Sequence, residues 1–177
     1  IPLVVRATVV DEDERADESP EAYLDRVVRA KLDAVRALGL GAGATVLVAD
    51  TIVVAPDGKV LHKPKDEDEA CRAVERLAGA THDVMTRFVL ADGDPALGPS
   101  HAETVATRVT FRALVPGEAR AYARSGEGRD KAGGYAVQGR AASFVAQIAG
   151  SFTNVVGLPI CQVVVAMRAV GWVPGAL

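Results

Sequence analysis

The period of hydrophobic residues constrains this chain more than any other feature, because it alternates between the strand value and the helix value along most of its length. "LVVRATVV" (3–10) is β-branched and predicts a strand. Ser19 and Pro20 then read as an N-cap and a first helical position, opening a helix to about Leu38, where Gly39 stops it. "TVLVAD" (45–50) is a continuous apolar run ending in a carboxylate, as in a strand buried on both faces; "IVVA" continues it to the turn "PDG" (56–58). Asp66 and Glu69 form a capping-box variant before a helix carrying Ala70, Cys71, Val74 and Leu77 on one face and closed by Gly79. "HDVMTRFVLA" (82–91) predicts a strand, "DGDPALGP" (92–99) a loop. Val105, Thr107, Val109 and Phe111 make one face of a further strand from Glu103. A short helix near 117–124, a strand at "SFVAQIAG" (143–150) and a helix from Pro159 complete the series. Alternation of this kind predicts an α/β fold with a mixed sheet flanked by helices. No repeat, low-complexity segment or linker interrupts it, and 177 residues suit one domain, 1–177.

Composition narrows the function classes. A net charge of −3 and only four Phe, three Tyr and one Trp argue against a nucleic-acid surface. No window is long and apolar enough for a membrane span, and no signal-peptide pattern is present. The two cysteines, Cys71 and Cys161, lie in apolar helical patterns; both read as small buried hydrophobes in a reducing, cytoplasmic compartment. The acids from Asp11 to Asp25 read, by themselves, as a solvated face.

Several polar residues resist such plain readings. Asp50 ends a buried strand, where it can hold a divalent cation, activate water or simply cap a turn. Lys31 falls inside the apolar stripe Leu24, Val27, Val28, Val35, Leu38; it either meets an anion or snorkels to water. Lys63 precedes Pro64 just ahead of a helix start, which suits an anion or an exposed turn. Glu103 shares strand parity with Val105 and is a metal ligand or a strand-end residue. "GEGRDKAGGYAVQG" (126–139) sets five glycines around Arg129, Asp130, Lys131, Tyr135 and Gln138. Glycines allow backbone N–H groups to approach an anion, and the cations add charge. Asp130 could hold Lys131 in place or bind a bridging cation. Gln138 can both donate to and accept from a base edge, and Tyr135 offers a flat apolar surface. This is no P-loop, since G-x-x-x-x-G-K-[ST] is absent. Together the inventory fits a nucleoside polyphosphate with Mg²⁺.

Four stretches in fixed order, "VLVADTIVV" (46–54), "HKPKDEDEA" (62–70), "DKAGGYAVQG" (130–139) and "GSFTNVVGLP" (150–159), give the chain a resemblance to the Maf family of nucleoside triphosphate pyrophosphatases over nearly its whole length. The resemblance implies an elongated α/β fold with two lobes around a central cleft, and hydrolysis of nucleoside triphosphates to monophosphate and pyrophosphate. It implies that Asp50 is the proton acceptor, with Glu12 and Lys63 also catalytic. Thr51 and Gln138 would select the base, in the manner of the dTTP/UTP-preferring branch. Lys31, Asp130 and Lys131 would bind substrate. Asp50, Glu12 and Glu103 would hold Mg²⁺ or Mn²⁺, and a homodimer is expected. The family's S-x-x-R phosphate motif has no counterpart upstream of Glu12. A protein beginning at Ile1 would lack that clamp and a core strand. The alternative function is then a catalytically impaired, nucleotide-binding regulator of cell division.

Overall fold

A computed structural model describes residues 4–40 and 43–173. The elements are α1 (Pro20–Arg36), β1 (Thr45–Val54), β2 (Val60–Leu61), α2 (Glu67–Leu77), β3 (Thr81–Asp92), β4 (Pro99–Phe111), α3 (Glu118–Arg124), β5 (Val145–Ala149), α4 (Phe152–Val156) and α5 (Ile160–Ala169). The strands form one sheet in the order β2-β1-β3-β4-β5. The chain divides into two compact units. Unit 1 takes the chain up to Asp50, Arg87–Thr104 and the residues from Cys161; unit 2 takes Thr51–Thr86 and Val105–Ile160.

Unit 1 is built on α1. The Ser19 Oγ accepts from the Ala22 N–H at 3.2 Å, satisfying one donor that a helix start leaves open. Val28 and Leu32 then bury against Val46 and Val48 of β1 and Val89 and Ala91 of β3. Each such side chain contributes about 1.5–3 kcal/mol by leaving water, so Leu32→Ala would open a hole in this small core.

Unit 2 has the larger core, in which Val74 and Leu77 of α2 meet Val84, Val109, Phe111 and Tyr122. The N-cap half of the capping box forms: the Asp66 carboxylate accepts from the Glu69 N–H at 2.7 Å, while the Glu69 carboxylate reaches one residue further back and accepts from the Lys65 N–H at 2.8 Å.

The α/β class with a sheet flanked by helices stands, but neighbouring strands pair antiparallel rather than mixed. β2 pairs antiparallel to β1 and β5 to β4. Ala44 bonds to Gly93 and Thr51 to Thr86, so numbers rise along β1 as they fall along β3. Thr81 meets Thr110 and Arg87 meets Thr104, giving the same sense for β3 and β4. The loop 93–98 is too short for a crossover helix, which a parallel pair would need.

Three local expectations change. Residues 4–15 have no regular secondary structure, and Leu3 of the predicted first strand lies outside the described residues. Val4, Val5 and Val9 are 79%, 91% and 98% exposed. β-Branching favours a pleated, half-buried surface; without burial it does not make a strand. The strand predicted from residue 143 starts at Val145, because Arg140–Ser143 form a 3-10 turn. Cys71 is buried but Cys161, in the first turn of α5, is exposed.

Candidate active site

In unit 1 the inward lysine of α1 does meet anions. Lys31 Nζ lies 2.6 Å from Asp50 Oδ1 and 2.8 Å from Glu12 Oε1. The Lys31 and Asp50 side chains are 16% and 17% exposed, so the pair is largely withdrawn from water, while Glu12 is 43% exposed. Burial disfavours the charge on Lys31, but its hydrogen bonds to Asp50 and Glu12 and their negative charge outweigh this, holding its pKa above the ordinary value. The ammonium thus stays charged throughout the neutral range. Snorkelling is not what resolves this lysine; two carboxylates from distant segments do. Tyr23, one helical face with Lys31, donates its hydroxyl to the Glu12 carbonyl at 2.8 Å. Burial, together with the charges of Asp50 and Glu12, pushes its phenol up to about 12, so it remains a neutral donor.

Glu103 is engaged elsewhere, 3.1 Å from His101 Nε2. Among the described residues no three His, Cys, Asp or Glu side chains gather as a metal cage. Glu12 and Asp50 nevertheless supply two hard oxygen donors on one cation. That is the donor set Mg²⁺ uses when phosphate oxygens and water complete its shell.

Unit 2 holds the other predicted residues. Thr51, the next residue after Asp50 on β1, donates to the Gly157 carbonyl at 3.0 Å and shares a 2.8 Å hydrogen bond with the buried Thr86 hydroxyl. Lys131 and Asp130 form an exposed ion pair at 2.7 Å. That hydrogen bond is the main reason the Asp130 carboxyl lies below the usual range, and the positive charge of Lys63 contributes. Lys63 and Gln138 are both exposed. Lys63 also lines an open cavity of about 460 Å³ with His62, Pro64, Glu69, Arg72 and Arg76. The Asp130 carboxylate thus feels the positive charge of both Lys131 and Lys63.

Close backbone contacts shape the glycine-rich stretch. A Cβ on Gly128 would overlap the Gly134 carbonyl oxygen, and one on Gly133, at φ 70°, would lie 2.9 Å from Val53. Glu127, for which no role was foreseen, anchors the loop: its two carboxylate oxygens accept from the Arg140 N–H at 3.0 and 2.9 Å. Tyr135 is not the open aromatic surface its sequence context suggests. It is 5% exposed, packs edge-on to Phe111 at 4.9 Å, and its hydroxyl lies 2.8 Å from Nε2 of the buried His82. Apolar partners distant in the chain outcompete solvent for its ring.

Unit 1 thus sets two carboxylates on a largely buried ammonium, and unit 2 carries an ion pair on a glycine-shaped loop and an exposed amide. The chain belongs to the Maf-like protein family, whose profile matches residues 1–170. It is similar to a dTTP/UTP pyrophosphatase of Myxococcus xanthus (strain DK1622), with 45% identity over 173 residues, 97% of this chain and 83% of that protein. A dTTP/UTP pyrophosphatase of Syntrophomonas wolfei subsp. wolfei is 48% identical over 146 residues, covering 82% of this chain and 75% of its own length. The Geotalea uraniireducens dTTP/UTP pyrophosphatase is 43% identical over 172 residues, 97% of this chain and 86% of that protein.

Proposed function

We propose that this protein is a nucleoside triphosphate pyrophosphatase acting on dTTP, UTP or closely related nucleotides, releasing the monophosphate and pyrophosphate. The relatives' shared activity supports the reaction. The observation that carries the assignment of residues is the Glu12–Lys31–Asp50 contact at 2.8 and 2.6 Å. It gathers the expected base, the expected metal-binding acid and a permanent positive charge from three separated segments.

Asp50 accepts the proton of the attacking water, a task a carboxylate can perform when it lies within hydrogen-bond reach of that water. Glu12 and Asp50 would hold Mg²⁺ or Mn²⁺, which when bound neutralises phosphate charge. Lys31, Lys63 and Lys131 add fixed positive charge for the triphosphate, and Asp130 keeps Lys131 in place. Thr51 and Gln138 read the base. With the Thr51 hydroxyl proton directed to Gly157 and one lone pair accepting from Thr86, its oxygen keeps a second lone pair, which suits the N3–H of uracil or thymine. Glu103 has no direct part in this scheme. The full chain acts as one Maf-like domain in the cytoplasm, where free cysteines persist, and as a homodimer. No helix of the described residues is long and apolar enough to cross a membrane.

The test is Asp50→Asn, assayed for pyrophosphate release from dTTP and UTP with Mg²⁺ or Mn²⁺, alongside thermal melting. The variant is expected to fold and to lose turnover. Full activity in a folded Asp50→Asn protein would remove Asp50 from the role of base.

A further inference from the structure

Glu12 lies in an acidic segment with no regular secondary structure, so neither helix nor strand hydrogen bonding fixes it. Arg26 does. From α1 its Nη1 donates to the Asp11 carbonyl at 3.3 Å and its Nη2 to the Asp13 carbonyl at 2.8 Å, one on each side of Glu12. Tyr23 takes the carbonyl between them, that of Glu12 itself, at 2.8 Å. Three successive carbonyls are thus held from one helix. The same guanidinium grips Glu18 with Nε at 2.7 Å and Nη2 at 2.8 Å, a forked pairing that fixes direction as well as charge. Glu18 in turn accepts from the Arg15 N–H at 3.3 Å, and Asp17 takes a left-handed φ of 60° at the turn that brings Glu18 back. The Arg26 and Glu18 side chains are 17% and 10% exposed, unlike the loose surface pairs that add little. Arg26 also lies 5.3 Å from the Tyr23 ring centre, so the two donors brace one another.

We propose that Arg26, braced by Tyr23, is a positioning residue that locks the acidic segment so that the Glu12 carboxylate faces Lys31 and Asp50. This deepens, and rests on, the reading that Glu12 serves the hydrolytic site. The acidic run is then a solvated strap, exposed from residue 11 to 17, whose backbone is tied to α1. Shape matters more than charge here, because lysine supplies one compact ammonium where arginine reaches two carbonyls and a carboxylate together.

The experiment compares the full chain with Arg26→Gln, Arg26→Lys, Glu12→Gln and the Arg26→Gln/Glu12→Gln double variant. It reads kcat/KM on dTTP, thermal melting, and amide exchange of residues 11–15 without nucleotide or metal. Supporting residues of this sort are typically worth about 10- to 100-fold in activity. We expect that loss for Arg26→Gln and for Arg26→Lys, in proteins that still melt cooperatively. We expect the double variant to be no worse than Glu12→Gln alone to within about twofold, the mark of residues acting through one group. Exchange at 11–15 should accelerate in both Arg26 variants. Wild-type kcat/KM and exchange in Arg26→Lys would overturn the proposal, as would losses that multiply in the double variant. If Glu12→Gln retains full turnover, the assignment of Glu12 in the hydrolytic site fails instead, and the exchange rates still decide whether Arg26 anchors the strap.

Discussion

Protonation of His82 should loosen the core beneath the glycine-rich loop, and the size of the effect follows from its burial. His82 is 2% exposed, touches Phe111 and Tyr135 edge-on at 5.1 and 5.5 Å, and shares one hydrogen bond, with the Tyr135 hydroxyl. Among the described residues its Nδ1 has no partner. A neutral ring tolerates this; an imidazolium would carry a second N–H with no acceptor, in apolar surroundings. Burial accordingly pushes the pKa of His82 down from 6.5 to about 4. The folded state therefore binds fewer protons than the unfolded state between those values, and stability falls as pH falls through that window. At about 1.4 kcal/mol per unit, the whole window is worth roughly 3 kcal/mol, and the part between pH 6.5 and 5 about 2 kcal/mol. Urea denaturation at pH 7.5, 6 and 5 of the wild type and His82→Gln isolates the contribution, since other carboxylates titrate in both proteins. The wild type should lose about 2 kcal/mol more than the variant over this range. Stability curves of the two proteins that remain parallel from pH 7.5 to 5 would refute the reasoning.

Two further outcomes test the loop and the thiols. Gly128→Ala forces a methyl onto the Gly134 carbonyl oxygen and should cost about 1–3 kcal/mol, with a melting point lower by several degrees and weakened turnover. Gly98→Ala, where nothing lies within 4 Å, is the matched control and should melt like the wild type. Maleimide at pH 7.5 should label Cys161 promptly in the native protein. Cys71, 2% exposed and with its thiol pushed up by burial, should label only on unfolding; peptide mass spectrometry reads both.

Local chemistry made much of this protein legible in one dimension. The N-caps at Ser19 and Asp66 form as their residue types require, because a capping bond spans only three residues. The buried faces of α1 and α2 follow from the helix period, and the interior lysine follows from Lys31 standing in an apolar stripe. An anion near Lys31 was one of the two readings left open by the cost of burying an uncompensated charge, snorkelling being the other.

Which anions meet Lys31 was a different matter. Asp50 lies 19 residues away on a strand, and Glu12 sits in a run whose composition alone reads as solvated surface. Only the fold of unit 1 sets them on one ammonium, and only Arg26 and Tyr23 give an irregular segment a fixed place. Tyr135 and the valines at 4, 5 and 9 show the reverse failure. Loop context made the tyrosine an open flat surface and propensity made the valines a strand, whereas long-range packing buries the first and leaves the others in water. Patterns within one turn of helix or a few residues of strand carry their own energies and can be read in order along the chain. Burial and charge pairing are sums over partners that come together only when the polypeptide closes on itself, and tertiary structure alone decides them.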